Sequence, residues 1–174
     1  MEFKKNLLYE IYLNDNDSSD LIDIGFFIAQ DDEYAVFQCV SHDGLAGGFL
    51  LIKIETIWNL QSNTVTCQGL QKLIKYHKTT FENLSFKTKN LKKEFLTLAK
   101  DTRGIVGIEL RDSDSIDLFG FIESISDDYV TTLEITTDGY PDGNGQCRFF
   151  EITKVSMNAN KHRKYKLLFE INSK

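Results

Sequence analysis

The chain has one proline in 174 residues, 11 glycines, three cysteines and one tryptophan. So little proline, and no periodic glycine, exclude collagen-like and Pro-rich linker classes. Cys39, Cys67 and Cys147 are odd in number, far apart and form no C-x-x-C pair. That pattern indicates neither a disulfide framework nor a zinc site. The three read as reduced thiols in a cytoplasmic protein, with Cys39 in an apolar run as core. Long apolar runs are missing too. Ile24–Ala29 falls far short of the roughly 20 residues a membrane helix needs. Leu7–Leu13 is broken by Glu10 and offers no small-residue cleavage site, so neither an export signal nor a membrane partner is read. Gly-rich phosphate loops, a G-x-S-x-G elbow and an H-E-x-x-H pair are also lacking.

What is there is aromatic and charged. Thirteen Phe and 7 Tyr supply large apolar groups that disordered chains lack, and 41% hydrophobic residues suffice for a packed core. Twenty basic residues stand against 26 acidic ones, a net charge of −6.

The strongest signal is internal repetition. Shifted by 95 residues, the stretch 17–48 lies over 112–143 without a gap. Asp17, Ser18, Gly25, Phe26, Asp32, Tyr34, Asp43, Gly44 and Gly48 meet the same residue types in the second copy. A three-residue insertion around Asn144–Gln146 then aligns Ile54 and Ile57 with Ile152 and Val155.

Each copy reads as short strands. Leu8–Leu13 and Ile105–Leu110 are first strands, Leu21–Gln30 and Ile116–Ser126 second, Tyr34–Ser41 and Tyr129–Thr137 third. Asp-Gly follows each third strand, a dipeptide suited to the positive φ of hairpin turns. Phe49–Ile57 and Arg148–Ser156 make fourth strands, Leu60–Thr66 and Tyr165–Ile171 fifth ones. Between the copies the period changes. Leu70, Leu73, Ile74 and His77 share one helix face, and Leu91, Phe95 and Leu98 another. Thr79 or Thr80 would cap the second helix and Gly104 would stop it. The expected architecture is mainly β with a helical connector: two tandem five-stranded small barrels at 1–66 and 104–174, joined by residues 67–103.

An early second-strand Gly25 or Gly120, an acidic turn at Asp32 or Asp127, and an apolar fourth-strand end at Ile54–Ile57 or Ile152–Val155 resemble the Sm-like small barrel. The helical stretch Leu91–Lys100 before Ile105 fits that likeness, and other SH3-like barrels fit almost as well. The resemblance implies uridine-rich RNA binding only where an Asn follows the turn Asp by four residues and an Arg-Gly pair ends the fourth strand. Here those positions hold Val36 and Thr131, and Glu55-Thr56 and Thr153-Lys154. It also implies assembly through strand edges, which leaves a homo-oligomer open.

Charge separates by segment. Residues 1–65 carry 3 basic and 11 acidic groups, residues 66–100 carry 8 and 2, and residues 101–174 carry 9 and 13. A basic connector thus lies between acidic copies, which disfavours phosphate binding by the copies themselves. Candidate chemistry is thin. His42-Asp43 sits in a turn without an evident nucleophile, and His77 falls on an apolar helix face. The segment from Asp138 begins like a calcium loop, but its third and twelfth positions are Tyr140 and Phe149. No catalytic residue, metal ligand or cofactor is assigned. Phe26, Phe27, Phe37, Phe49 and Trp58 are candidates to line a peptide groove, with about half of them core by alternation; Trp58 lacks an aromatic counterpart and is the best single candidate for an exposed contact, against a first reading as packed core. The expected function is non-enzymatic protein interaction through an unknown partner. The alternative is a nucleic-acid-binding regulator using Lys72, Lys75, Lys89, Lys92 and Lys93.

Overall fold

The computed structural model describes residues 3–13, 22–87, 89–113 and 115–174. The chain divides into two units, Met1–Leu91 and Lys92–Lys174. The first holds β1 (Leu8–Leu13), β2 (Ile22–Gln30), β3 (Tyr34–Val40), β4 (Ala46–Lys53), a 3-10 turn (Ile54–Thr56), β5 (Ile57–Ser62) and α1 (Val65–His77). Helix α2 (Leu91–Asp101) begins at the boundary. The second unit continues with β6 (Ile105–Leu110), β7 (Leu118–Ile125), β8 (Tyr129–Ile135), β9 (Pro141–Arg148), a 3-10 turn (Phe149–Glu151), β10 (Ile152–Met157) and α3 (Asn160–Asn172). The stretch expected as a connector is therefore shared: α1 lies in the first unit and nearly all of α2 in the second.

The expected closed barrels are not formed. The strands make an open antiparallel sheet architecture, in the order β5-β1-β2-β3-β4 in the first unit and β10-β6-β7-β8-β9 in the second. A barrel requires its two outer strands to pair. Among the described residues no ladder joins β4 to β5 or β9 to β10. The reason lies at the 3-10 turns. Each carries the chain away from the fourth strand, and β5 then pairs with β1 (Tyr9 opposite Ser62) as β10 does with β6 (Met157 opposite Val106). Alternating apolar residues specify which face a strand buries, but not which edges meet.

From β3 onward the two units keep a constant spacing. Tyr34 and Tyr129, Ala46 and Pro141, Ile54 and Phe149, Ile57 and Ile152, and Val65 and Asn160 open equivalent elements 95 residues apart. The insertion expected at Asn144–Gln146 is absent, so Ile54 corresponds to Phe149 rather than Ile152. Arg148–Ser156 is accordingly the end of β9, a turn and most of β10. The bulges repeat as well, between Phe27 and Ala29 in β2 and between Ile122 and Ser124 in β7. So do the turns: Gly44 N–H donates to Ser41 O at 2.9 Å, and Gly139 N–H to Thr136 O at 3.0 Å. Asn63 and Asn158, each just before a helix, adopt φ of 58° and 51°, a region Asn tolerates better than most residues.

Tyr165–Ile171, expected as a strand, lies inside α3. Its Tyr, Leu, Phe and Ile suit a strand locally, but His162, Tyr165 and Phe169 follow helical spacing. Tyr165 and Phe169 pack on the cluster of Ile105, Phe121 and Ile135. In the first unit, Cys67 and Leu70 of α1 cover Leu8, Ile24 and Val40, with Phe26, Ile74 and Phe81 at the margin. The opposite face gathers Phe3, Tyr9, Ile11, Phe27, Phe37, Leu50 and Ile52. Each such buried apolar side chain contributes roughly 1.5–3 kcal/mol, so packing against the sheet, more than helix propensity, holds these elements.

Polar groups close the ends. Thr64 caps α1 by accepting from Cys67 N–H at 3.1 Å, and its hydroxyl donates to the buried Glu10 carboxylate at 2.8 Å. The second helix is not capped by Thr79 or Thr80 as expected. Leu91 N–H donates to Asp31 Oδ2 at 2.8 Å, whereas Thr79 Oγ1 donates to Gly44 O at 2.8 Å. Gly104 does stop it, its N–H donating to Ala99 O at 2.8 Å.

Candidate interaction surface

Trp58 lies on β5, an outermost strand, and is 59% exposed. Its ring meets Tyr12 edge-on, 5.9 Å between centroids. A groove of about 520 Å³ runs beside it, lined by Lys4, Leu7, Tyr9, Trp58, Leu60 and Asn63 among others. Tyr9 is buried against the first-unit core, and its hydroxyl accepts from Lys4 N–H at 2.8 Å. One wall thus belongs to the core, while the indole is mostly exposed; rings packed on one side and wet on the other make good contact groups.

The edge is protected only in part. Outer strands expose unpaired N–H and C=O groups, and soluble proteins commonly protect them with Lys, Pro or bulges. The β5 sequence Ile-Trp-Asn-Leu-Gln-Ser contains neither charge nor proline, and its one such feature is a bulge at Trp58, where Tyr12 pairs with Asn59 but Leu13 with Ile57. Strand β9, an outer strand in the second unit's order, begins with the chain's one proline and carries Asp142, Gly143, Gly145 and Arg148. The Asp138–Gly145 segment that looks like a calcium loop is a hairpin turn followed by this strand.

The sequence candidates are not brought into one place. Lys72 and Lys75 are exposed on α1, and Lys89 is exposed in the segment before α2. Lys92 is buried, its Nζ donating to Phe149 O at 2.7 Å and lying 4.3 Å from the Phe149 ring centroid. Lys93 pairs with Asp127 at 2.7 Å, and that hydrogen bond holds the Asp127 carboxyl below its ordinary pKa. Lys92 and Lys93 thus serve the second unit's own structure. Phe27, Phe37 and Phe49 are buried, and the half-buried Phe26 meets Phe81 edge-on at 5.0 Å, so these four form core rather than groove.

The polar candidates have local duties. Asp31 Oδ1 accepts the N–H groups of Glu33 and Tyr34 at 2.9 and 2.7 Å and so shapes its turn. The Ser41 hydroxyl donates to the Asp43 carboxylate and lowers its pKa, with His42 exposed beside them. His77 is exposed rather than packed, its ring 5.2 Å from that of Tyr76. His162 is buried beside Phe119, 4.9 Å between ring centroids. Among the described residues no three His, Cys, Asp or Glu side chains gather as a cation site. Sequence reasoning found Trp58 but missed the groove partners Lys4, Leu7 and Tyr9. Their proximity depends on β1–β5 pairing, which no local pattern encodes.

Compared with family models, curated proteins and solved structures, the chain matches none. Among the described residues no helix is long and apolar enough to cross a membrane.

Proposed function

We propose that this chain is a non-enzymatic, cytoplasmic protein-interaction module that accepts an extended segment of a partner protein along the β5 edge. The carrying observation is an uncharged, proline-free outer strand bearing a 59% exposed tryptophan beside a groove. Strand addition would draw affinity from main-chain hydrogen bonds to the edge, with Trp58 and the groove selecting side chains. Three free cysteines agree with a reducing compartment. We further read the two units as a tandem duplication, supported by the constant 95-residue spacing and the matched bulges and turns. A second copy of the chain is an admissible partner for the same edge. The nucleic-acid alternative is weaker, because two of its five lysines already have partners within the second unit.

Panning a displayed library of random peptides against the full chain tests the reading. Retained peptides should change the fluorescence of Trp58, the chain's one tryptophan, and Trp58→Ala should release them. No enrichment over a blank surface, or enrichment indifferent to Trp58→Ala, defeats it. Light scattering separates a second copy from a foreign partner. A gel shift with RNA or DNA that weakens steeply with salt would move the function to the lysines.

A further inference from the structure

The two units fill the same aromatic seat from different parts of the chain. In the second unit Phe121 of β7 packs against Phe169 of α3, with 4.9 Å between ring centroids. The equivalent positions in the first unit, 95 residues earlier, are Phe26 and Ile74. Ile74 has no ring, and the place beside Phe26 is taken by Phe81, edge-on at 5.0 Å. Phe81 lies beyond the end of α1, in residues 79–87, which form neither helix nor strand.

The residue after Phe81 is clipped by its main chain. The Gln38 side-chain amide donates to Glu82 O and accepts from Glu82 N–H, both at 3.1 Å, the orientation that satisfies all four groups. Neighbouring antiparallel strands exchange the same two bonds; here one side chain supplies a strand's half of them. Gln38 is 4% exposed, a burial that an amide tolerates only with its bonds made. Its equivalent in the second unit is Leu133, which can hold no main chain. The second unit thus builds the same sheet without this clip and takes its covering ring from its own helix, so the fold demands neither the clip nor Phe81.

Contacts at both ends fix the segment's limits. Thr79 Oγ1 donates to Gly44 O and Leu91 N–H to Asp31 Oδ2, each at 2.8 Å. Between them Thr80, Glu82, Asn83, Ser85 and Lys87 are exposed.

We propose that this face of the first unit is a receptor for an extended protein segment bearing an aromatic side chain, and that residues 79–87 are its resident occupant, a strap that a partner segment of the same chemistry displaces. The resident defines what the site takes. Phe26 selects a ring. Gln38 reads the N–H and C=O of the following residue and ignores its side chain, which stays exposed as that of Glu82 does. Main-chain bonds give affinity and the aromatic seat gives selection, a division common in the capture of extended peptides. Charge plays no part, since the strap's two ionised side chains, Glu82 and Lys87, are exposed and opposite in sign. A strand of the sheet could not leave without undoing its ladders, whereas a segment outside the ladders, seated by side chains, can lift while its two ends stay fixed. Because it is tethered beside its seat, the strap competes at high effective concentration and keeps the site closed at rest.

The test titrates the full chain with a labelled free peptide of the strap's own sequence, Thr-Thr-Phe-Glu-Asn-Leu-Ser-Phe-Lys. A strap seated more than about nine-tenths of the time weakens a competitor at least about tenfold. The parent chain should therefore bind the peptide weakly. Phe81→Ser, which loosens the strap and leaves the seat intact, should bind it at least about tenfold tighter. Adding Gln38→Leu, the residue the second unit holds there, should abolish that gain, and a peptide whose first Phe is replaced by Ser should bind neither chain. Hydrogen exchange in the parent gives a readout free of substitutions: saturating peptide should speed exchange at the chain's own Glu82 N–H at least about tenfold. No binding to a Phe81→Ser chain that circular dichroism shows to be folded, equal affinity in parent and variant, indifference to Gln38→Leu, or binding lost on Trp58→Ala overturns the proposal. Where Phe81→Ser unfolds the unit, unchanged Glu82 exchange in the parent overturns it alone.

Discussion

Two glycine-to-alanine changes in the first unit should move its stability in opposite directions. At Gly44 the backbone has φ +78°, a region that costs an L side chain about 1–2 kcal/mol. The new methyl would also lie 2.6 Å from Leu73 Cβ and 2.9 Å from Ile74 N. Neither atom is the free end of a side chain, so the turn or α1 must shift, and such overpacking costs about 1–3 kcal/mol. Gly44→Ala should therefore destabilise by about 2–5 kcal/mol. Gly69 lies within α1, and a Cβ there would meet nothing within 4 Å. Alanine should stabilise that helix by about 1 kcal/mol. Urea unfolding followed by Trp58 fluorescence reports on the first unit, since the chain has no other tryptophan. With slopes of about 1–3 kcal/mol per molar urea, the two midpoints should separate by about 1 M or more. Equal midpoints, or a Gly44→Ala protein as stable as the parent, would refute the seating of the β3–β4 turn on α1.

Lys92→Met keeps the buried stem but removes the donor to Phe149 O, so we expect a loss of about 1–3 kcal/mol by thermal unfolding; a change within about 0.3 kcal/mol, the scatter of such measurements, would count against a structural role for the ammonium. Burial, aided by the Glu151 and Asp117 carboxylates, pushes the Cys147 thiol up to about 11 from an ordinary 9.0. Folded protein at pH 8 should therefore alkylate at the half-buried Cys39 well before Cys147, as peptide mapping would show. Because the fold favours the neutral thiol, its contribution is full below pH 9 and is lost as pH rises from 9 towards 11. Cys147→Ala should flatten the fall in stability across that window, and an unchanged slope would contradict the burial argument.

The first three strands of each unit were legible because alternating aromatic and β-branched residues, ended by acidic or Asp-Gly turns, leave few other readings. The expected Leu8–Leu13 and Ile105–Leu110 agree with β1 and β6 residue for residue. Helix α1 was legible from Leu70 and Ile74, whose spacing matches the face laid on the sheet. Helix α3 was not. Its Tyr165–Ile171 stretch has strand-like composition, and assigning it needed the helical spacing from His162 onward together with an apolar sheet face to cover. Trp58 stood out in the sequence as the one indole, yet its exposure came from β5 being outermost.

By itself, then, the sequence determined the β-rich class, the repetition, the hairpin turns at Gly44 and Gly139 and the uneven charge. These depend on neighbours along the chain: side-chain alternation, the φ preference of glycine and the count of ionised groups. Tertiary structure alone decided that the sheets stay open, that β5 pairs with β1, that Lys92 points into a core and Lys93 meets Asp127. It also decided that the turn at Gly44 seats on α1 against Leu73, 29 positions further along the chain. Those outcomes rest on contacts between distant segments, where a residue's partner is set by which edge or face the packing leaves available.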